Sequence, residues 1–79
     1  MSKVIIYSTP SCHFCRMAKD FFKEKNVEFQ EFDVAGDMIR RKEMIDKSGQ
    51  MGVPVILIDD KIIVGFNKSK IMELLGIKE

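Results

Sequence analysis

The chain is sparing with several residue types. Among 79 residues there is no tryptophan, one tyrosine, one histidine, two prolines and two cysteines. With so few cysteines a disulfide-stapled scaffold is excluded. Two cysteines and one histidine also fall short of the four ligands that a structural zinc site takes from a single chain. Charge of one sign is missing too, since 13 Lys+Arg against 12 Asp+Glu leave a net charge of +1. That balance offers no field for nucleic acid or an anionic membrane. No apolar run nears the ~20 residues of a membrane span, and Met1-Ser2-Lys3 with four apolar residues after it is too short for a signal-peptide core. A cytoplasmic protein is expected. Repeats, low-complexity tracts and linkers are absent, so residues 1–79 read as one domain, small enough that its core must be economical.

What is present is concentrated near the start. The two cysteines stand in Cys12-His13-Phe14-Cys15, separated by two residues. Before them Val4-Ile5-Ile6-Tyr7 is a short β-branched run that reads as a buried strand, broken by Ser8-Thr9-Pro10. After them Phe14, Met17 or Ala18, and Phe21 recur at helical spacing, with Lys19, Asp20, Lys23 and Glu24 toward water. Ser11 is the expected N-cap, which places Cys12 in the first turn. A helix N-terminus carries partial positive charge and unpaired N–H groups, and both favour a thiolate over a thiol. Cys12 is therefore the expected nucleophile, and Cys15, one turn in, the less exposed and less acidic partner. In a reducing compartment such a pair is catalytic or metal-binding rather than a permanent bridge.

The rest of the pattern is α/β. Val27 to Phe32 alternates as a second strand, and Met38 to Lys47 reads as a second helix, supported by Met38, Ile39, Met44 and Ile45 and closed by Ser48-Gly49. Its amphipathicity is the weakest of the three helices. Val55 to Ile58 and Lys61 to Val64, joined by Asp59-Asp60, form an antiparallel hairpin. Asn67 caps a last helix with Ile71, Leu74 and Leu75 inward and Gly76 as its stop. The order is βαβαββα, which gives a four-stranded mixed sheet covered by three helices.

Pro54 heads the third strand, where its missing N–H does little harm. Taken with the cysteine pair, Val53-Pro54 resembles the cis-proline element of the thioredoxin fold. The whole chain resembles a glutaredoxin or glutaredoxin-like redoxin of minimal length. The resemblance rests on Tyr7-Ser8-Thr9-Pro10-Ser11-Cys12-His13-Phe14-Cys15, Ser48-Gly49, Val53-Pro54 and Gly65-Phe66. It departs from the usual family pattern in having His13 for proline and Phe14 for tyrosine between the cysteines. Thr9 stands where a cation is common, and Val64-Gly65-Phe66-Asn67-Lys68 replaces a Gly-Gly pair followed by Asp.

The resemblance implies thiol–disulfide exchange. Cys12 attacks a substrate disulfide, Cys15 resolves the mixed disulfide, and no metal or organic cofactor is required. It also implies that Val53 pairs its backbone with the substrate and that Pro54 keeps those contacts aimed at Cys12. Gly65, Phe66, Asn67, His13, Phe14 and Arg41 are the further candidates for substrate contact. Glutathione is a possible co-substrate. The Gly65-Phe66 segment is similar to that of glutaredoxin-like proteins that take electrons from thioredoxin reductase and pass them to enzymes such as ribonucleotide reductase. Other disulfide-containing proteins are expected partners, and the chain is expected to be a monomer.

Some choices stay open. His13 either stabilises the Cys12 thiolate as a cation or merely replaces proline at the surface. Phe14 and Phe66 are either packing or part of a docking surface. Arg40-Arg41-Lys42 is either a solvated helix face or an anion-recognition patch. The alternative function is a metal-binding module, with a dimer holding a [2Fe–2S] cluster or a shared zinc through the same cysteines. The six methionines read mostly as core filler, Met51 excepted for its nearness to the expected substrate loop.

Overall fold

The structure is a computed structural model and describes residues 3–77. In chain order its elements are β1 (Val4–Ser8), α1 (His13–Glu24), β2 (Gln30–Asp33), α2 (Met38–Ser48), β3 (Val55–Ile58), β4 (Lys61–Val64) and α3 (Lys68–Leu75). The strands form one sheet in the order β2-β1-β3-β4. β1 runs parallel to β2 and antiparallel to β3, and β3 is antiparallel to β4, as a βαβ unit followed by a hairpin requires.

Side-chain alternation along the two central strands divides the core in two. Val4, Ile6, Ile56 and Ile58 face one side with Ile63, where they pack with Ala18, Phe21 and Phe22 of α1 and Ile71 of α3. Tyr7, Val55 and Leu57 face the other side with Val34, against Met44 of α2. All four residues of β3 are buried, which is why that strand reads as an unbroken apolar run. Leu74 and Leu75 pack partly buried against the first cluster, as their helical spacing predicts.

Three local expectations are corrected. The second strand is short, because pairing to β1 begins only at Gln30, opposite Ile5. Val27 and Phe29 still pack against the α1 cluster but lie outside the ladder. The buried stripe of α1 is Cys15, Ala18, Phe21 and Phe22, whereas Phe14 and Met17 are exposed. Cys15 itself belongs to the apolar stripe, which turns the inward face one residue away from the one its aromatics suggest. On α2, Met38 and Ile39 are exposed and only Met44 is fully buried, so this helix rests on the sheet by a narrow contact.

Caps fix the helix ends near the site. Asp37 accepts the backbone N–H groups of Ile39 and Arg40 at 3.1 and 3.0 Å, and Asn67 accepts that of Lys70 at 3.2 Å. In the hairpin, Asp59 adopts φ 55°, a left-handed conformation that aspartate tolerates, and its carboxylate accepts the Lys3 N–H at 3.0 Å. No helix among the described residues is long and apolar enough to cross a membrane.

Candidate active site

The sheet brings the distant motifs to one end. β1 finishes at Ser8 and the chain passes through Thr9 to Ser11 into the cysteine motif. Because Tyr7 lies opposite Val55 in the antiparallel register, Pro54 falls beside the end of β1. Val55 in turn pairs with Val64, and the Gly65 N–H donates to the Pro54 carbonyl at 2.8 Å. The cysteine loop, the Val53-Pro54 step and Gly65 therefore share one edge of the fold. The Val53–Pro54 peptide is cis, and Pro54 is buried.

Cys12 is the N-cap of α1, not a residue of its first turn, and Ser11 lies outside the cap. With extended backbone at φ −84° and ψ 114°, its side chain folds back to accept the Cys15 N–H, with Sγ 3.1 Å from the nitrogen. A sulfur therefore does what an oxygen does in an ordinary Ser or Asp cap. The Cys12 N–H is bonded to the Thr9 carbonyl at 3.3 Å, which closes the turn that delivers the helix start. Both cysteines are free thiols; Cys12 is partly exposed and Cys15 is fully buried. Burial pushes the Cys15 thiol up to about 12, aided by its hydrogen bond with Cys12, while a Thr9 backbone hydrogen bond and the Lys19 charge act in the opposite direction. The two sulfurs are thus unlike: Cys12 Sγ is partly exposed and accepts the Cys15 N–H, and the Cys15 thiol is buried one turn behind it.

The other candidates take definite places. His13 and Phe14 are exposed and meet edge to face, with ring centroids 5.6 Å apart. Phe14 is 57% exposed and Met51 68%. Phe66 is half-buried, with its ring 6.0 Å from that of Phe21 on the α1 side of the sheet. Gly65 has φ 81°, a conformation open to glycine at little cost. Asn67 caps α3. Arg40 is engaged within the fold, stacked 3.9 Å over the Phe32 ring and bonded to Glu43, while Arg41 is half-buried and Lys42 is exposed. No group of three or more His, Cys, Asp or Glu side chains suited to a metal stands together among the described residues.

One cluster was not read from the sequence. The Lys19 ammonium lies 2.7 Å from the Glu31 carboxylate, which also accepts the hydroxyl of the fully buried Ser8 at 2.7 Å. These two contacts hold the Glu31 carboxyl below the usual carboxylate range. The helical pattern points Lys19 toward water, yet its side chain is only 24% exposed. The signal available was positional. Lys19 occupies the i+4 place from Cys15, on the flank of the buried stripe.

A reachable thiol at a helix start, a buried thiol one turn behind it and a cis-proline at the same end of the sheet are the arrangement on which the glutaredoxin resemblance depends. The glutaredoxin family model matches residues 4–63, which takes in the cysteine pair, Val53-Pro54 and the hairpin up to Ile63. The chain belongs to the glutaredoxin family. It is 53% identical over 70 residues to a glutaredoxin-like 8.6 kDa protein of the rubredoxin operon of Clostridium pasteurianum, a match that covers 89% of this chain and 93% of that one. Glutaredoxin 3 of Escherichia coli K12 is 42% identical over 65 residues, 82% of this chain and 78% of its own. In three dimensions the chain is similar to a mutant of a thioredoxin-like protein, with a TM-score of 0.91 and 33% identity across 99% of this chain and 100% of that one. The fold is a minimal thioredoxin fold and the chain is a thiol–disulfide oxidoreductase.

Proposed function

We propose that this glutaredoxin reduces protein or glutathione mixed disulfides by a dithiol route with Cys12 as nucleophile and Cys15 as resolving thiol. The observation that carries the assignment is the difference between the two sulfurs: Cys12 is partly exposed with a backbone N–H at 3.1 Å, and Cys15 is fully buried behind it. The Cys12 thiolate attacks one sulfur of the substrate disulfide, and the other sulfur leaves as a thiol after taking up a proton. Cys15 then attacks Sγ of Cys12, a Cys12–Cys15 disulfide forms, and the second substrate sulfur departs as a thiol. Two electrons pass from the protein to the substrate. An external thiol system returns them.

In this reading the Val53 backbone aligns an extended substrate segment, Pro54 and Gly65 keep that edge open beside Cys12, and Phe14, His13 and Phe66 border it. Asn67 and Arg41 are the candidates to meet a glutathione carboxylate. A buckwheat glutaredoxin of the same fold, with a TM-score of 0.75 and 19% identity, was crystallised with glutathione. The reductant is glutathione or thioredoxin reductase, the substrates are disulfide-containing proteins of the ribonucleotide reductase kind, and the site of action is the reducing cytoplasm.

The test is NADPH consumption during reduction of a small mixed disulfide, with glutathione plus glutathione reductase in one arm and thioredoxin reductase in the other. Turnover in the first arm alone assigns glutathione as the donor; turnover in the second alone withdraws the glutathione site. Absence of turnover in both overturns the reading.

A further inference from the structure

The resolving step poses a problem of charge. Cys15 must attack as a thiolate, and burial works against that form. The helix stripe that buries Cys15 continues through Ala18 and Phe22, and the i+4 place between them is taken by a lysine rather than an apolar residue. Partial burial of a lysine is unfavourable unless it is paired. Here the pairing is built from three elements. Glu31 stands next to Ile6 in the parallel register and Ser8 follows two residues on, so both project from the α1 face of the sheet, where Glu31 receives the Lys19 ammonium and the Ser8 hydroxyl at 2.7 Å each.

We propose that Lys19, pinned by Glu31 and Ser8, is a positioning residue for the resolving step, its ammonium stabilising the negative charge on the Cys15 sulfur as it attacks the mixed disulfide at Cys12. The inference rests on the dithiol reading above. The Cys15 S–H proton is given up to solvent, the sulfur forms its bond to Cys12 Sγ, the bond from Cys12 to the substrate sulfur breaks, and that sulfur departs with the electron pair and takes up a proton from solvent, so that the step neither gains nor loses a proton overall. Lys19 keeps its own proton throughout.

Charge stabilisation is favoured over proton abstraction by the state of the carboxylate. Lys19 and Ser8 both favour ionised Glu31, and Lys23 adds to this, so Glu31 is a weak base. Burial and Cys12 oppose the Cys15 thiolate, whereas the Thr9 backbone after β1 and, more weakly, the Lys19 charge favour it, the latter offset in part by the Glu31 carboxylate of β2 that pairs with Lys19.

The test uses one equivalent of an aromatic disulfide that releases a coloured thiolate. Attack by Cys12 releases the first thiolate and resolution by Cys15 the second, so two phases report the two steps. Loss of the Lys19 charge lowers the Cys15 thiolate fraction, and the greater nucleophilicity of the more basic thiolate returns part of that loss. Lys19→Met is therefore expected to slow the second phase near neutral pH, to move its pH profile upward and to leave the first phase as it is. Lys19→Arg is expected to restore both the rate and the profile. An unchanged second phase in Lys19→Met overturns the proposal, as does equal slowing of both phases or failure of arginine to rescue. Release of a single thiolate by the wild-type protein overturns the dithiol reading itself, and the proposal with it.

Discussion

The Tyr7 hydroxyl donates to the Glu43 carboxylate at 2.8 Å and ties the centre of the sheet to α2 across 36 residues of sequence. Tyr7 is fully buried, and the same carboxylate accepts Arg40, whose guanidinium lies over Phe32. On the face where α2 contributes one buried side chain, this polar chain supplies a second attachment. Tyr7→Phe keeps the ring and removes the donor. The expected loss is about 1.5–3 kcal/mol, as for a hydrogen bond to a charged group, read from the midpoint of urea unfolding.

The pH dependence of stability follows from the same groups. Glu43 and Glu31 are held below the ordinary carboxyl value of 4.5, chiefly by hydrogen bonds from Tyr7 and Lys19 respectively. Their stabilisation is present above that value and is lost as the pH falls below it. Tyr7 and Cys15 are both pushed up to about 12, from 10.0 and 9.0, chiefly by burial. The folded state holds those protons more firmly than the unfolded chain, so stability declines as the pH rises from about 9 toward 12. Urea titrations of the reduced protein are expected to give a plateau between the two limbs, and Tyr7→Phe to flatten the alkaline one.

The burial difference between the thiols sets their reactivity. Iodoacetamide near neutral pH is expected to add one carbamidomethyl group to the native reduced protein, at Cys12, and two after unfolding. Mass spectrometry of the intact and digested protein reads this directly. Rapid labelling of Cys15 in the native state would contradict its placement behind Cys12.

Gly65 lies across from Pro54 with φ 81°, and nothing stands within 4 Å of the place a Cβ would occupy. The cost of Gly65→Ala therefore comes from the backbone conformation and not from a clash. It is expected to be about 1 kcal/mol in unfolding experiments.

Much of this architecture is legible because strand and helix periods differ. Val4 to Tyr7, the hairpin around Asp59-Asp60 and the Asn67 cap follow from local pattern alone, and the cysteine motif marks the start of α1. Where the sequence misleads, tertiary contact decides. Val27 and Phe29 have the alternation of a strand, yet they serve the core from outside the ladder. Ser11 is a good cap by residue type, but the turn closed by Thr9 hands that position to Cys12. The Ser8–Glu31–Lys19 cluster joins β1, β2 and α1, so no local window contains it. Such polar groups become visible only when the register places Glu31 and Ser8 on one face.

The central claim is that Cys12 forms the covalent bond to substrate and Cys15 breaks it. The most direct measurement is to incubate Cys15→Ser with a disulfide substrate, then separate the products without reductant and map the adduct by mass spectrometry. A stable mixed disulfide at Cys12 is expected, absent from Cys12→Ser and not accumulating in the wild type. Failure of Cys15→Ser to trap an adduct, or an adduct at Cys15 in the Cys12→Ser protein, would contradict the account.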